Sequence, residues 1–185
     1  MTSRAFVICG PTAVGKGTVI RQLIERQPSM WLSVSATTRA PRAGEVDGQH
    51  YFFVSPDEFD EMVGAGNMLE WATVHGIHRY GTPRGPVLDA MADDRVVLLE
   101  VDLAGARQVR ASFPEAVQIF IAPPTFEDLE ERLETRGTEG PAERERRLET
   151  ARVELAAADE FDHVVINDDV VRATDEILSI IEAVG

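Results

Sequence analysis

Cysteine and lysine are almost missing from this sequence. A single cysteine, Cys9, in 185 residues leaves no partner for an intramolecular disulfide and no cysteine cluster for a metal. That usage suits a reducing cytosol, and Cys9 reads as a small buried strand residue. Of the 18 basic residues seventeen are arginine, and Lys16 is the sole lysine. Either coding bias disfavours lysine or arginine serves equally well everywhere else, and both readings single out position 16. No apolar run approaches the ~18 residues of a membrane span. Met1 to Phe6 carry no signal-peptide pattern, so a cytoplasmic location without a membrane partner is expected. Internal repeats and low-complexity tracts are also missing. Positive charge is scarce: 32 Asp and Glu against 18 Lys and Arg leave −14 at pH 7. Such a balance argues against a nucleic-acid partner. Any anionic ligand must be met by local basic clusters.

What is present is enough for one core, since 44% of the residues are apolar. Short apolar runs at Ala5 to Cys9, Val96 to Leu99, Val117 to Ile121 and Val164 to Ile166 lack polar alternation. Runs of that kind suit strands covered on both faces, as in a parallel sheet. Helical patterns follow at 16–24, 126–136, 141–158 and 170–183, with Pro141 suited to a first turn and Asp168 or Asp169 placed to cap the last. The segment 33–95 breaks this rhythm and has hairpin-like pieces around Gly48 to Val54. The fold class expected is α/β, a three-layer core with a parallel sheet carrying an inserted lobe and a helical lid. Its divisions are core 1–32, lobe 33–95, core 96–125, lid 126–158 and core 159–185.

Gly10-Pro11-Thr12-Ala13-Val14-Gly15-Lys16-Gly17-Thr18 lies between a predicted strand and a predicted helix, the context of a phosphate-binding loop. Glycines let backbone N–H groups close round phosphates, and the helix N-terminus adds partial positive charge. Lys16 reaches the outer phosphates as a compact point charge, which the broad fork of arginine does not replace. The usual pattern has Ser or Thr directly after the lysine to help hold Mg²⁺. Gly17 stands there instead, so Thr18 is the expected hydroxyl, acting through water. A second basic island runs from Ser33 to Gly44, where Arg39 and Arg42 can grip phosphate oxygens with Ser35 and Tyr51 adding neutral bonds. Taken alone, this stretch also reads as a solvated loop neutralised by Glu45 and Asp47.

These residues, with Leu69-Glu70-Trp71-Ala72, Tyr80-Gly81-Thr82, Glu100-Val101-Asp102, Ala122-Pro123-Pro124 and Arg136-Gly137-Thr138-Glu139, resemble the guanylate kinases, in order and over essentially the whole chain. The acceptor-loop run is specific to that family. The resemblance implies a P-loop core, ATP with Mg²⁺, and phosphorylation of GMP, and of dGMP, to the diphosphate. By position Ser35, Arg39, Arg42, Tyr51 and Tyr80 match the holders of the GMP phosphate, with Glu45 in a supporting role. Glu70, Thr82 and Asp102 match those facing guanine. Lys16, Arg132, Arg136 and Arg147 match the residues that act on the moving phosphoryl, and Asn167 matches a position near adenine, though capping the last helix is an equal reading.

The chemistry of these positions stands beside the resemblance. Guanine offers N1–H and N2–H₂ in parallel to one ionised carboxylate, which adenine does not, so Glu70 suits a specificity element. The alternative is a surface glutamate beside a core Trp71. Glu100 and Asp102 end the Val96 strand, where α/β sheets bind ligands, and residues two apart on a strand share a side. One or both are expected to face Mg²⁺ waters or nucleotide. Arg132 and Arg136 share a helical face, yet Asp128–Arg132 and Glu143–Arg147 also read as ordinary surface pairs. Arg144 stands where relatives carry an apolar residue. Two other functions compete: a kinase for another nucleotide or a sugar phosphate, and a non-catalytic guanylate-kinase-like binding module.

Overall fold

A computed structural model describes residues 4–74, 76–136 and 140–184. Along the chain the elements are β1 (Ala5–Cys9), α1 (Lys16–Arg26), β2 (Trp31–Leu32), β3 (Ala36–Thr37), β4 (Phe52–Phe53) and α2 (Pro56–Gly64). Then follow β5 (Met68–Val74), β6 (His78–Pro83), α3 (Arg84–Ala92), β7 (Val97–Glu100), α4 (Leu103–Ser112) and β8 (Val117–Ala122). The chain ends in α5 (Phe126–Arg136), α6 (Pro141–Ala156), β9 (His163–Ile166) and α7 (Val170–Val184).

Five parallel strands in the order β2-β7-β1-β8-β9 form the central sheet. The runs of β1, β7 and β8 lack alternation because both faces are covered, whereas at the edge strand β9 Val164 and Ile166 are exposed and only Val165 is buried. Phe6 and Ile8 of β1 turn to one side and pack with Val19 and Leu23 of α1 and Ile177 and Ile181 of α7. Ala5, Val7 and Cys9 turn to the other and meet Val87 of α3 and Ala106 and Val109 of α4. Cys9 is buried there, and burial pushes its thiol up to about 12. Helices α5 and α6 are rooted in the first layer, since Leu129, Leu133, Leu148 and Ala151 join it.

A second sheet, β4-β3-β6-β5, stands apart over a small core of Ala36, Phe59 and Met68. Several local expectations change here. The hairpin is not at Gly48 to Val54: Phe52–Phe53 pairs in parallel with β3, and β6 pairs antiparallel with both β5 and β3. The segment 33–95 is divided, because α3 buries Val87 and Ala90 in the main core. Trp71 is 38% exposed and no core residue; its ring meets Phe59 edge-on. Pro141 does open α6 just after Gly140, but that helix stops at Ala156 and a single 3₁₀ turn follows at Ala158–Glu160. Asp169, not Asp168 or Asn167, caps α7, accepting from the N–H groups of Val171 and Arg172.

Candidate functional site

The loop after β1 leaves the carboxyl edge of the sheet, and two glycines shape it. Gly10 and Gly15 have φ of 146° and 100°. A Cβ at Gly10 would stand 2.2 Å from the Ile121 carbonyl oxygen, and one at Gly15 2.6 Å from Asn167 Nδ2. Only glycine combines those angles with that approach. Gly15 is also the N-cap of α1 and brings no side-chain acceptor, so no side chain competes with an anion for the first-turn amides. Lys16 Nζ donates to the carbonyls of Gly10 (2.5 Å) and Pro11 (3.1 Å), which holds the ammonium over the loop. A cavity of about 320 Å³ opens beside it, lined by Thr12, Ala13, Gly15, Lys16, Gly17, Thr18, Arg21 and Glu100. This glycine-rich cradle with one ammonium has the donor set a triphosphate needs.

The far side of the loop is tied to other elements. Asn167 Nδ2 donates to the Val14 carbonyl at 2.7 Å, and Arg132 donates to the same oxygen at 3.2 Å and to the Asn167 carbonyl at 2.9 Å. Arg132 is therefore not a surface partner of Asp128, which instead caps with Thr125 at 2.6 Å. Arg147 does meet Glu143 at 3.4 Å, as the surface-pair reading expects. Arg144 reaches Glu134 across the two lid helices at 2.6 Å, which accounts for a charge where an apolar residue was expected. The side chain of Arg136 and residues 137–139 lie outside the described residues.

In the acceptor segment Arg39 is committed within the protein. It donates to Glu45 Oε1 (2.8 Å) and Oε2 (2.9 Å), to the Ala40 carbonyl (2.7 Å) and from Nε to Tyr80 Oη (3.2 Å). Its guanidinium also lies over the Tyr51 ring, 5.4 Å from the centroid, and Tyr51 meets Tyr80 edge-on. Glu45 further accepts from the Arg42 N–H at 2.6 Å, and these bonds hold its carboxyl at about 2. Glu45 thus orients the Arg39 guanidinium, while the Arg42 side chain is exposed. Ser35 precedes β3, and its carbonyl accepts from the Phe52 N–H at 2.9 Å.

Glu70, Thr82 and Asp102 come together as expected. Thr82 is 2% exposed, and its hydroxyl donates to Glu70 Oε1 at 2.6 Å. Burial raises the Glu70 carboxyl above its ordinary value, Thr82 opposes this, and the nearby Asp102 charge adds to it. Glu100 and Asp102 do not act as a pair on one strand. Glu100 ends β7 and lines the phosphate cavity with Thr18, whereas Asp102 lies beyond the strand and caps α4, accepting from the Gly105 N–H at 2.7 Å. Of the three groups expected around Mg²⁺, Thr18 and Glu100 thus share one cavity. Among the described residues no cluster of three His, Cys, Asp or Glu is arranged to hold a metal directly.

Two charged residues were not anticipated. Arg21 lines the phosphate cavity. Glu154 of α6 is half-buried with its carboxyl raised by burial, and it lies within electrostatic reach of Lys16 and Asp102. Its spacing of three from the buried Ala151 and Ala157 is the one trace it leaves in an otherwise charge-rich helix.

The guanylate kinase family model matches residues 2–184 of this chain. The chain is 60% identical over 174 residues to the guanylate kinase of Leifsonia xyli subsp. xyli, covering 94% of this chain and 68% of that protein. It is 56% identical over 175 residues to the guanylate kinase of Cutibacterium acnes, covering 95% and 88%. The crystal structure of guanylate kinase from Anaplasma phagocytophilum superposes with a TM-score of 0.72 at 30% identity, covering 99% of this chain and 87% of that one.

Proposed function

The chain belongs to the guanylate kinase family, and from that premise we propose that it transfers the terminal phosphoryl of ATP to GMP, giving ADP and GDP. The observation that carries the reading is the continuity of the two half-sites. Glu100 lines the phosphate cavity with Lys16, and two residues later Asp102 stands beside the half-buried Glu70. A phosphate cradle and a carboxylate fit for base recognition are thereby joined by one turn of chain.

ATP phosphates lie on 10–18, with the amides of the loop and the α1 N-terminus as donors and Lys16 on the outer phosphates. A phosphate oxygen of GMP bonds to the terminal phosphorus as the bond to the bridging oxygen of ADP breaks. That oxygen is already anionic, so no protein base is required. Ser35, Arg39, Arg42, Tyr51 and Tyr80 hold the acceptor phosphate, with Glu45 in a supporting role that orients the Arg39 guanidinium. Glu70 with Thr82 reads the guanine edge. Arg132, Arg136 and Arg147 stabilise the charge on the moving phosphoryl, and Asn167 secures the loop. Mg²⁺, when bound, would supply charge neutralisation at the phosphates, and Thr18 and Glu100, which line the same cavity, would hold it. The division into core, lobe, core, lid and core follows the same assignment, with α3 counted to the core.

A coupled ADP-release assay with GMP, dGMP, AMP and UMP tests the reading. Turnover with GMP and dGMP, and at least ~100-fold less kcat/KM with AMP, is expected. AMP turnover equal to that of GMP overturns the guanine assignment, and no turnover with any of them favours a binding module. Lys16→Ala is expected to lower kcat by ~10² or more with the fold intact.

A further inference from the structure

Gly105 lies in the first turn of α4, where alanine favours a helix more than glycine does. Its φ is not in the left-handed region, so backbone conformation does not call for glycine here. What calls for it is space. A Cβ at this position would stand 3.0 Å from Val101 Cβ, 3.2 Å from Glu70 Oε2 and 3.3 Å from Asp102 Oδ1. All three approaches are closer than an ordinary ~3.5–4.0 Å contact.

Two more residues on the same helical face, at spacings of three and four, fix the strand that carries Glu70. Gln108 Oε1 accepts from the Trp71 N–H at 3.1 Å, and its Nε2 donates to the Trp71 carbonyl at 3.0 Å. The Ser112 hydroxyl donates to the Leu69 carbonyl at 2.5 Å. These bonds hold the backbone on both sides of Glu70, while Thr82 holds its other carboxylate oxygen. A methyl group added at 105 therefore cannot be relieved by sliding β5 away from α4 without breaking three hydrogen bonds. The approach to Glu70 is relieved by turning Oε2, and those to Val101 and Asp102 by shifts of a few tenths of an ångström at the start of α4.

We propose that the Gly105–Gln108–Ser112 face of α4 is the seat that aims Glu70 at the guanine, with Gly105 a specificity-determining positioning residue. The inference rests on the reading of Glu70 as the group that accepts from guanine. A carboxylate that accepts N1–H and N2–H₂ together needs both oxygens correctly placed. The base of IMP keeps N1–H and lacks the 2-amino group, so the aim of the second oxygen sets the preference for GMP over IMP.

The test compares kcat/KM for GMP and IMP in wild type, E70Q, G105A and Q108A, with thermal melts alongside. G105A is expected to stay folded, to lose at least about tenfold of the GMP-over-IMP ratio mainly through a higher KM for GMP, and to keep the KM for ATP within about twofold. A merely structural role would not move that ratio. If E70Q collapses the ratio and G105A leaves it unchanged, the seat is overturned. If E70Q itself leaves the ratio unchanged, the reading of Glu70 falls, and the seat with it. Should G105A fail to fold, Q108A decides, since it frees Trp71 without adding an atom: a lowered ratio supports the seat, and an unchanged one overturns it.

Discussion

Two glutamates of the acceptor region carry opposite protonation signatures. The Arg39 guanidinium and the Arg42 N–H hold Glu45 at about 2, below the ordinary carboxylate value of ~4.3. A depressed carboxylate stabilises the fold above the unfolded value and loses that contribution as pH falls through the folded one. Wild type is therefore expected to lose melting temperature more steeply than E45Q between about pH 4.3 and about pH 2, a comparison made by calorimetry across that range. Glu70 is raised by burial, so its contribution is present at low pH and lost as pH rises through the folded value. E70Q is accordingly expected to melt above wild type at pH 8 while losing GMP turnover. Because guanine is read by the ionised form, the KM of wild type for GMP rises as pH falls through the raised value of Glu70. A profile of kcat/KM that is flat on its acid side would contradict this.

At the scale of elements, the loop at 10–18 hangs from the strand–helix connection after β9 and from α5 through one carbonyl, that of Val14. Asn167→Ala leaves that buried acceptor to Arg132 alone, and a loss of about 1–3 kcal/mol is expected by denaturant titration, together with a higher KM for ATP. Unchanged stability would show that Arg132 suffices. The loop itself was legible in the sequence, because glycine, lysine and the strand–helix context act within a few residues of one another. Arg132 and Asn167 were legible as site positions but not in their contacts, since their partner lies more than a hundred residues away. Helix α4 went unread for a different reason. Its buried face is Leu103, Gly105, Ala106 and Val109, too small to show an amphipathic stripe. The β5–β6 ladder was misplaced because Gly48 marks a turn by its conformation, φ 74°, yet the strand after it pairs in parallel. Propensity shows where the chain bends and not which strand it joins.

For the molecule as a whole, a charge of −14 coexists with ligands that are themselves polyanions. The resolution is local: the proposed site draws on the loop amides with Lys16, on Arg39 and Arg42, and on the arginines of α5 and α6, within an acidic body. No measurable binding of duplex DNA is expected at ~0.15 M salt, because a duplex engages a broad surface and not three small pockets. Fluorescence anisotropy with a labelled duplex checks this, and saturable micromolar binding would contradict it. The buried Cys9 offers a last consequence. As the only sulfhydryl, placed where the central strand hands over to Gly10, it makes every molecule its own clock for opening. A thiol reagent modifies it only during excursions that part the sheet beneath the cradle. ATP seated above should slow that tick, and GMP bound over the second sheet should slow it less, so one side chain times the two substrates separately.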